Sequence, residues 1–259
     1  MSDALYIGAT AMQAQQAHVD AIANNLANVT TPGFKKGRIS FADLVVSRGS
    51  TTHAGMDSPA PLQAAGVGVR IAAAARVFEG GEIKKTDAPL DIAIVGDGFF
   101  ELAMPDGSRA YARGGTLKVN ADGLLAHQGG SALKPGIAIP EDAEALLVSA
   151  SGRVRARLPG QAAEVDIGQL DVVRFSNPQG LVSQGANMYR ASDASGDPIG
   201  GRAGEDGIGT LAQGFLEGSN VKLLEEMVDL MVAQRAYEAG VKVVQASDEM
   251  LGMINALRK

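Results

Sequence analysis

The chain of 259 residues has no cysteine and no tryptophan, three histidines, seven phenylalanines and four tyrosines. Without cysteine, neither a disulfide framework nor a thiolate zinc site can form. His18, His53 and His127 stand apart from one another and from acidic pairs at ligand spacing, so no metal is expected and they read as polar surface or interface residues. Apolar runs such as "RIAAAARVF" and "LDIAIVGDGFF" fall far short of the roughly 18–20 residues a membrane span needs, so no membrane insertion is expected. Positive charge is also scarce. The formal net charge is −6 with no basic cluster, which gives no reason to bind nucleic acid. The first lysine is Lys35, and "ALYIGATAMQAQQ" is broken by Gly8 and three glutamines, so the start of the chain does not read as a cleavable secretory signal. Phosphate-loop and nucleophile-elbow motifs are missing, "GVGVRI" lacks the third glycine of a dinucleotide fingerprint, and no cofactor is expected. The acids of "PEDAEA", Pro140 to Ala145, read as a solvated turn.

What the chain does have is 46% hydrophobic residues and 33 glycines, enough for a core of Val, Ile, Leu, Met and Ala within a turn-rich β region. The two ends are different. Leu5, Met12, Val19 and Leu26 recur every seven residues, with Ile22 on the same face, and the only formal charge between Ala4 and Asn28 is Asp20. A helix with so little charge on its back is built to be surrounded. Near the other end Leu223, Leu230, Tyr237, Val244 and Leu251 again recur every seven residues, with Met227 and Val241 beside them. Ser219 or Asn220 can cap this helix, and Glu225, Glu226 and Asp229 early with Arg258 and Lys259 late suit its macrodipole. It is expected to run for about 40 residues, some 60 Å.

Between the ends, short apolar runs are separated by "GDG", "PDG", "RGG" and "ADG", the pattern of hairpin-connected strands, so residues from about 67 to 190 read as all-β. Val46 to Gly66 and Ala191 to Gly209 read as long polar, glycine-punctuated loops. The fold class is therefore α+β: long N- and C-terminal helices forming a coiled-coil-like pair, with a central all-β body. The expected division is 1–34 with 218–259 as a helical assembly domain, 35–85 with 185–217 as an extended linking segment, and 86–184 as the β domain. Helices leaving from opposite ends of such a body must cover their stripes on each other and on other copies, so termini frayed in isolation and helical on assembly are expected. The assembly interface expected from these stripes is Leu5, Met12, Val19, Ile22, Asn24, Asn25, Leu26, Asn28, Leu223, Met227, Leu230, Tyr237, Val241, Val244 and Leu251; no catalytic, cofactor or metal residue is assigned.

Longer motifs carry a resemblance. "QQAHVDAIANNLANVTTPGFKKGRISFADL" and "LEGSNVKLLEEMVDLMVAQRAYEAGVKVVQASDEML" are similar to the two terminal motifs of the flagellar basal-body rod and hook family. "GDGFFEL", "PDGSRAYARGGTLKVNADGLL" and "GQLDVVRFSNPQGL" resemble the β domain of its distal-rod members. The resemblance implies an axial structural protein, not an enzyme, polymerising helically into a hollow shaft that transmits torque from motor to hook. Its implied partners are further copies of itself, other rod and hook proteins, and the rings around the rod. It also implies a place in the basal body reached by type III export without a cleavable signal. It implies that Asn24, Asn25 and Asn28 meet amide-rich neighbours inside the tube while Thr31 to Gly33 turn the chain outward, and it links the 46–66 segment to rod stiffness. Three alternatives stand beside it: a proximal rod member of the same family, a cell-envelope hydrolase with its acids in the β body, and a monomeric adaptor with its helices folded onto itself.

Overall fold

The computed structural model describes residues 2–48, 63–160 and 163–257. In chain order the elements are α1 (Ser2–Ala27), β1 (Gly37–Arg48), β2 (Gln63–Arg76), β3 (Ile83–Lys85), β4 (Asp91–Val95), β5 (Phe100–Ala103), β6 (Arg109–Ala112), β7 (Gly114–Val119), β8 (Leu125–His127), β9 (Ala132–Lys134) and β10 (Ala145–Val148). They continue with β11 (Arg153–Arg157), β12 (Val165–Gln169), β13 (Asp171–Arg174), β14 (Val182–Gly185), β15 (Met188–Arg190), β16 (Ile199–Arg202), β17 (Thr210–Gln213), β18 (Phe215–Glu217) and α2 (Leu223–Leu257). The order of helix, β body and helix is the α+β plan that the sequence suggests. Two compact units result: residues 1–27, 37–75 and 222–259 form the first, residues 28–36 and 76–221 the second. The expected linking segment divides between them, 37–75 falling in the first unit, 35–36, 76–85 and 185–217 in the second.

In the first unit, α1 is rich in alanine, the best helix former. It ends at Ala27, where Asn28 to Thr31 turn and Pro32 prevents resumption. One side of α1 lies on the ribbon of β1 and β2. Ala14 is buried, His18 meets the edge of the Phe41 ring at 5.7 Å, and Thr10 Oγ1 accepts the Val69 amide at 3.4 Å. The loop expected over Val46 to Gly66 is shorter than that at both ends, because β1 runs on to Arg48 and β2 begins at Gln63. Polar and small side chains do not end a strand whose backbone is paired in a ribbon. The rest of that segment, 49–62, lies outside the described residues, as do Arg258 and Lys259.

The second unit is built on a nine-stranded antiparallel sheet in the order β14-β15-β6-β5-β9-β8-β7-β4-β17, with β10-β11-β12, β13-β16 and β18-β3 as smaller sheets. Alternation decides the faces: in "RVRAR" of β11, Val154 and Ala156 are buried and the arginines face out. Ile92, Ile94, Phe100, Leu102, Leu117, Leu125, Leu133 and Val172 form the main core. A second cluster gathers Phe99, Tyr111, Phe175 and Tyr189, with Phe78 against it, in edge-to-face contacts as close as 4.9 Å. Burial pushes the Tyr189 phenol up to about 12. The expected loop from Ala191 to Gly209 contains β16, whose Gly200 and Gly201 sit opposite Val173 and Val172 of β13. Glycine-rich sequence hides this strand, whose neighbour supplies the side chains.

His127 is buried on β8, and its Nδ1 accepts the Gly129 amide at 3.3 Å. Burial, with the Lys118 charge adding to it, holds this imidazole below its usual value. The folded state therefore disfavours the proton. Stability is complete above the unfolded histidine value of about 6.5 and declines as the pH falls from there through the depressed folded value. Urea midpoints measured against pH should show this decline, and His127→Gln should flatten it; an unchanged slope in the variant would remove His127 as its source.

Candidate assembly interface

The two helices that each carry a seven-residue stripe lie against one another in the first unit. Gly8 of α1 lies against Gly240 and Val244 of α2, while Asn25 lies against Glu226, so the helices run antiparallel. A methyl group on Gly8 would come within 2.7 Å of Val244 Cγ2, and one on Gly240 within 3.0 Å of Met12 Cγ. The two glycines are therefore requirements of a close approach, which outweighs the roughly 1 kcal/mol that a glycine costs inside a helix. The covered positions of α2 are Glu226, Leu230, Ala233, Gly240, Val244, Ser247 and Leu251, stepping by four and three, with Tyr237 more exposed in the remaining place. On α1, Gly8 and Met12 meet this row, and Leu5, Gln15, Val19, Ile22 and Leu26 are buried or half-buried at the same spacing.

The opposite face of α2 is also apolar, and it has two parts. Leu224, Val228, Met231 and Val232 recur at helical-face spacing near its start, with Met227 beside them, and Met250, Met253, Ile254 and Leu257 do the same near its end. Leu224 is 79% exposed and Leu257 88%. Between the two patches the outer face carries Arg235, Glu238 and Lys242. The large exposed side chains of this face are thus apolar at both ends and interrupted by charge in the middle.

At the junction of α1 and β1 in the same unit, Asn25 is 2% exposed. Its Nδ2 donates to the Gly37 carbonyl at 3.0 Å and to Glu226 Oε2 at 2.9 Å, and its Oδ1 accepts the Gly37 amide at 2.8 Å. An amide side chain suits this place because it presents a donor and an acceptor side by side, as a neighbouring strand would. Asn25 thus has three hydrogen-bond contacts inside its own chain. Replacing it with leucine would strand the Gly37 amide and carbonyl and remove a partner from buried Glu226. Asn25→Leu should cost about 3 kcal/mol, read as a lower urea midpoint for the loss of helical circular dichroism.

The second unit has a buried ion cluster of its own. Lys35 Nζ meets Glu217 Oε1 at 2.8 Å and donates to the Glu79 carbonyl at 2.7 Å. Arg113 Nε meets Glu217 Oε2 at 3.0 Å, and its other nitrogens donate to the carbonyls of Gly96 and Gly98. The Gly81 amide completes the carboxylate at 2.9 Å. All three charged side chains are at most 4% exposed. Two cations share one anion, and the three carbonyl dipoles offset the surplus positive charge. Burial lowers the Lys35 amine from its usual value against the opposing pull of Glu217. The "GDG" turn is fitted to this arrangement, since a methyl on Gly98, at φ +151°, would strike Val172 Cγ1 at 2.4 Å. Asn220, expected as a helix cap, instead accepts the Lys36 amide at 2.7 Å and donates to the Val77 carbonyl at 2.8 Å. The reason is distance along the chain: α2 begins at Leu223 and spans 35 residues, so Asn220 lies too far back to reach its first turn. Ser219 Oγ accepts the amide of Val221, outside the helix.

The expected interface residues divide accordingly. Leu5, Met12, Val19, Ile22, Leu26, Leu230, Val244 and Leu251 lie on the covered side of the helix pair, Val241 is half-buried beside them, and Asn25 is in the clamp. Leu223, Met227 and Tyr237 are 40% exposed or more, Asn24 is exposed and Asn28 half-buried, where its Oδ1 accepts the Thr31 hydroxyl at 3.2 Å. Sequence reasoning missed Leu224, Val228, Met231 and Val232 on the outer face, and the roles of Lys35, Arg113, Glu217 and Glu226. The outer set was legible as a second stripe one residue beyond the first. The ionic set was not, since Lys35 and Glu217 are 182 positions apart. Among the described residues no group of three or more His, Asp or Glu side chains converges as a metal would require, and no helix is long and apolar enough to cross a membrane.

Three family models match successive parts of the chain: the flagella basal body rod protein over residues 5–35, the D1 domain of the flagellar hook protein FlgE/F/G over 93–156, and the C-terminal region of the flagellar basal body rod FlgEFG protein over 212–257. The first covers α1 with Lys35, the third α2 with Glu217, so the class is that of the flagellar rod and hook chains. Over full length, the chain is 41% identical to the flagellar basal-body rod protein FlgG of Borreliella burgdorferi, all of both chains being covered. It is 39% identical to FlgG of Buchnera aphidicola subsp. Schizaphis graminum, over 99% of this chain and all of that protein, and 34% identical to FlgG of Bacillus subtilis over all of both. The chain belongs to the flagellar basal-body rod protein FlgG family, and it is a structural subunit, not an enzyme.

Proposed function

We propose that the chain is a distal-rod subunit that polymerises helically through the outer face of α2. The observation that carries this reading is the pair of apolar patches opposite the seam of α2: the seam is satisfied by α1 within the chain, so the patches need another partner. Fully burying one side chain of this size is worth about 1.5–3 kcal/mol, and nine of them along one helix give a second copy ample reason to dock. The four-three alternation of the seam is the spacing of a coiled coil, and on this reading α1 and α2 act as one coiled-coil-like rod element. Leu223, Met227 and Tyr237 belong to the contact between copies, while Leu5, Met12, Val19, Ile22, Leu230, Val244 and Leu251 shape the element that makes it. The working subunit keeps α1, because without it the seam of α2 would be bare. Other rod and hook proteins would meet the same helix pair at the ends of the polymer, and surrounding rings would meet the β unit.

Electron microscopy of the concentrated full chain tests the reading. Straight tubular polymers are expected, and a chain lacking residues 223–257 should form none while keeping the β-sheet signal of the second unit. A full chain that stays monodisperse at its solubility limit would overturn the proposal.

A further inference from the structure

The chain has nine methionines and no cysteine, so thioethers are its only sulfur. Four of them lie on α2 and none of these faces α1: Met227, Met231, Met250 and Met253 are 49%, 54%, 48% and 60% exposed. They come as two pairs at one-turn spacing, one pair in each apolar patch. Elsewhere, Met12 lies against Gly240 in the helix seam, and Met104 and Met188 are partly buried on the main core of the second unit. Exposure thus sorts the described methionines into a reactive set on the outer face of α2 and a protected set.

Resting on the assembly reading above, we infer that these four thioethers form an oxidation site through which a peroxide-class oxidant blocks addition of the free subunit. The peroxide O–O bond breaks as one oxygen bonds to sulfur, and the other leaves as water. Sulfur loses two electrons and the peroxide gains them. The product sulfoxide converts a flexible apolar side chain into a strong acceptor, and in a dry contact between copies that acceptor has no donor. Each such acceptor weakens one contact by about tenfold or more. Because each copy offers two patches, the losses compound along a polymer. The change is reversible by a thiol-dependent sulfoxide reductase, and assembled copies, with these sulfurs covered, are shielded from it.

The test treats the full chain with hydrogen peroxide, maps sulfoxide by peptide mass spectrometry and follows polymer formation by light scattering. Sulfoxide should appear first at residues 227, 231, 250 and 253, helical circular dichroism should persist, and polymer yield should fall at least tenfold. A chain carrying Met227→Leu, Met231→Leu, Met250→Leu and Met253→Leu together should assemble before and after peroxide. An oxidised native chain that assembles normally overturns the inference alone, as does an equal loss in the fourfold variant or a loss of helicity in the oxidised chain. A native chain that never assembles untreated overturns the assembly reading and the inference with it.

Discussion

Glu217→Ala should lower the stability of the second unit by about 3–5 kcal/mol, the cost of leaving buried charge unpaired. Lys35 and Arg113, at most 4% exposed, would lose their shared carboxylate and the Gly81 amide its acceptor. Against a net stability of about 5–15 kcal/mol for a domain, this is enough to unfold a large fraction of molecules at modest temperature. Arg113 Cζ stands 6.0 Å from the centre of the Phe99 ring, so near-ultraviolet circular dichroism of the aromatic cluster reports the loss directly during denaturant titration. Glu217→Gln should recover little, because it keeps the shape without the charge. Replacing all three with apolar residues of similar volume should recover most of the stability, since a well-packed apolar trio avoids the desolvation of three ions. A Glu217→Ala chain as stable as the parent would show that the cluster holds nothing together.

Val228→Glu with Val232→Glu should leave the folded chain within about 0.5 kcal/mol of the parent and yet abolish polymer formation. Both side chains are more than half exposed in the single chain, so the carboxylates remain in water there. In a contact between copies the same charges would be buried without partners and repeated in every subunit. The assembly constant should fall by more than about 100-fold, read by sedimentation against concentration. Val244→Glu is the contrasting change. It places a charge in the seam where Val244 already crowds Gly8, so it should destabilise the helix pair itself and lower the urea midpoint. The two variants separate the face that folds the chain from the face that joins it to others.

That separation is also where the sequence stopped being legible. The existence of both helices, the stop at Thr31 to Gly33 and the hairpin character of the body follow from spacing and turn residues. Alpha-helical periodicity alone could not say which stripe of α2 faces its own chain, since Leu230, Val244 and Leu251 and the set Leu224, Val228 and Val232 are equally good apolar rows. The partner decides it: Gly8 and Gly240 let the backbones approach on one side, whereas the other glycine of α2, Gly252, has no neighbour within 4 Å among the described residues. The termini, expected to be frayed in isolation, are helical over Ser2–Ala27 and Leu223–Leu257 in the single chain because each covers the other. Strand ends were misjudged where composition misleads, as with Gly200 and Gly201 of β16, which are held by register against β13. The buried ions were invisible for a different reason. Lys35, Arg113 and Glu217 look like surface residues until a fold brings together three places in the chain.

Because the chain has no cysteine, a single introduced thiol reports on one place only. Val228→Cys and Ala233→Cys each place one thiol on α2, the first on the outer face and the second in the seam, where Ala233 is 1% exposed. The decisive measurement is the labelling rate of each thiol by a water-soluble maleimide in the monomer and in the polymer. If the outer face of α2 joins copies, the thiol at 228 should react fast in the monomer and at least about tenfold more slowly once assembled, while the thiol at 233 should be slow in both states. Equal, fast labelling at 228 before and after assembly would contradict it.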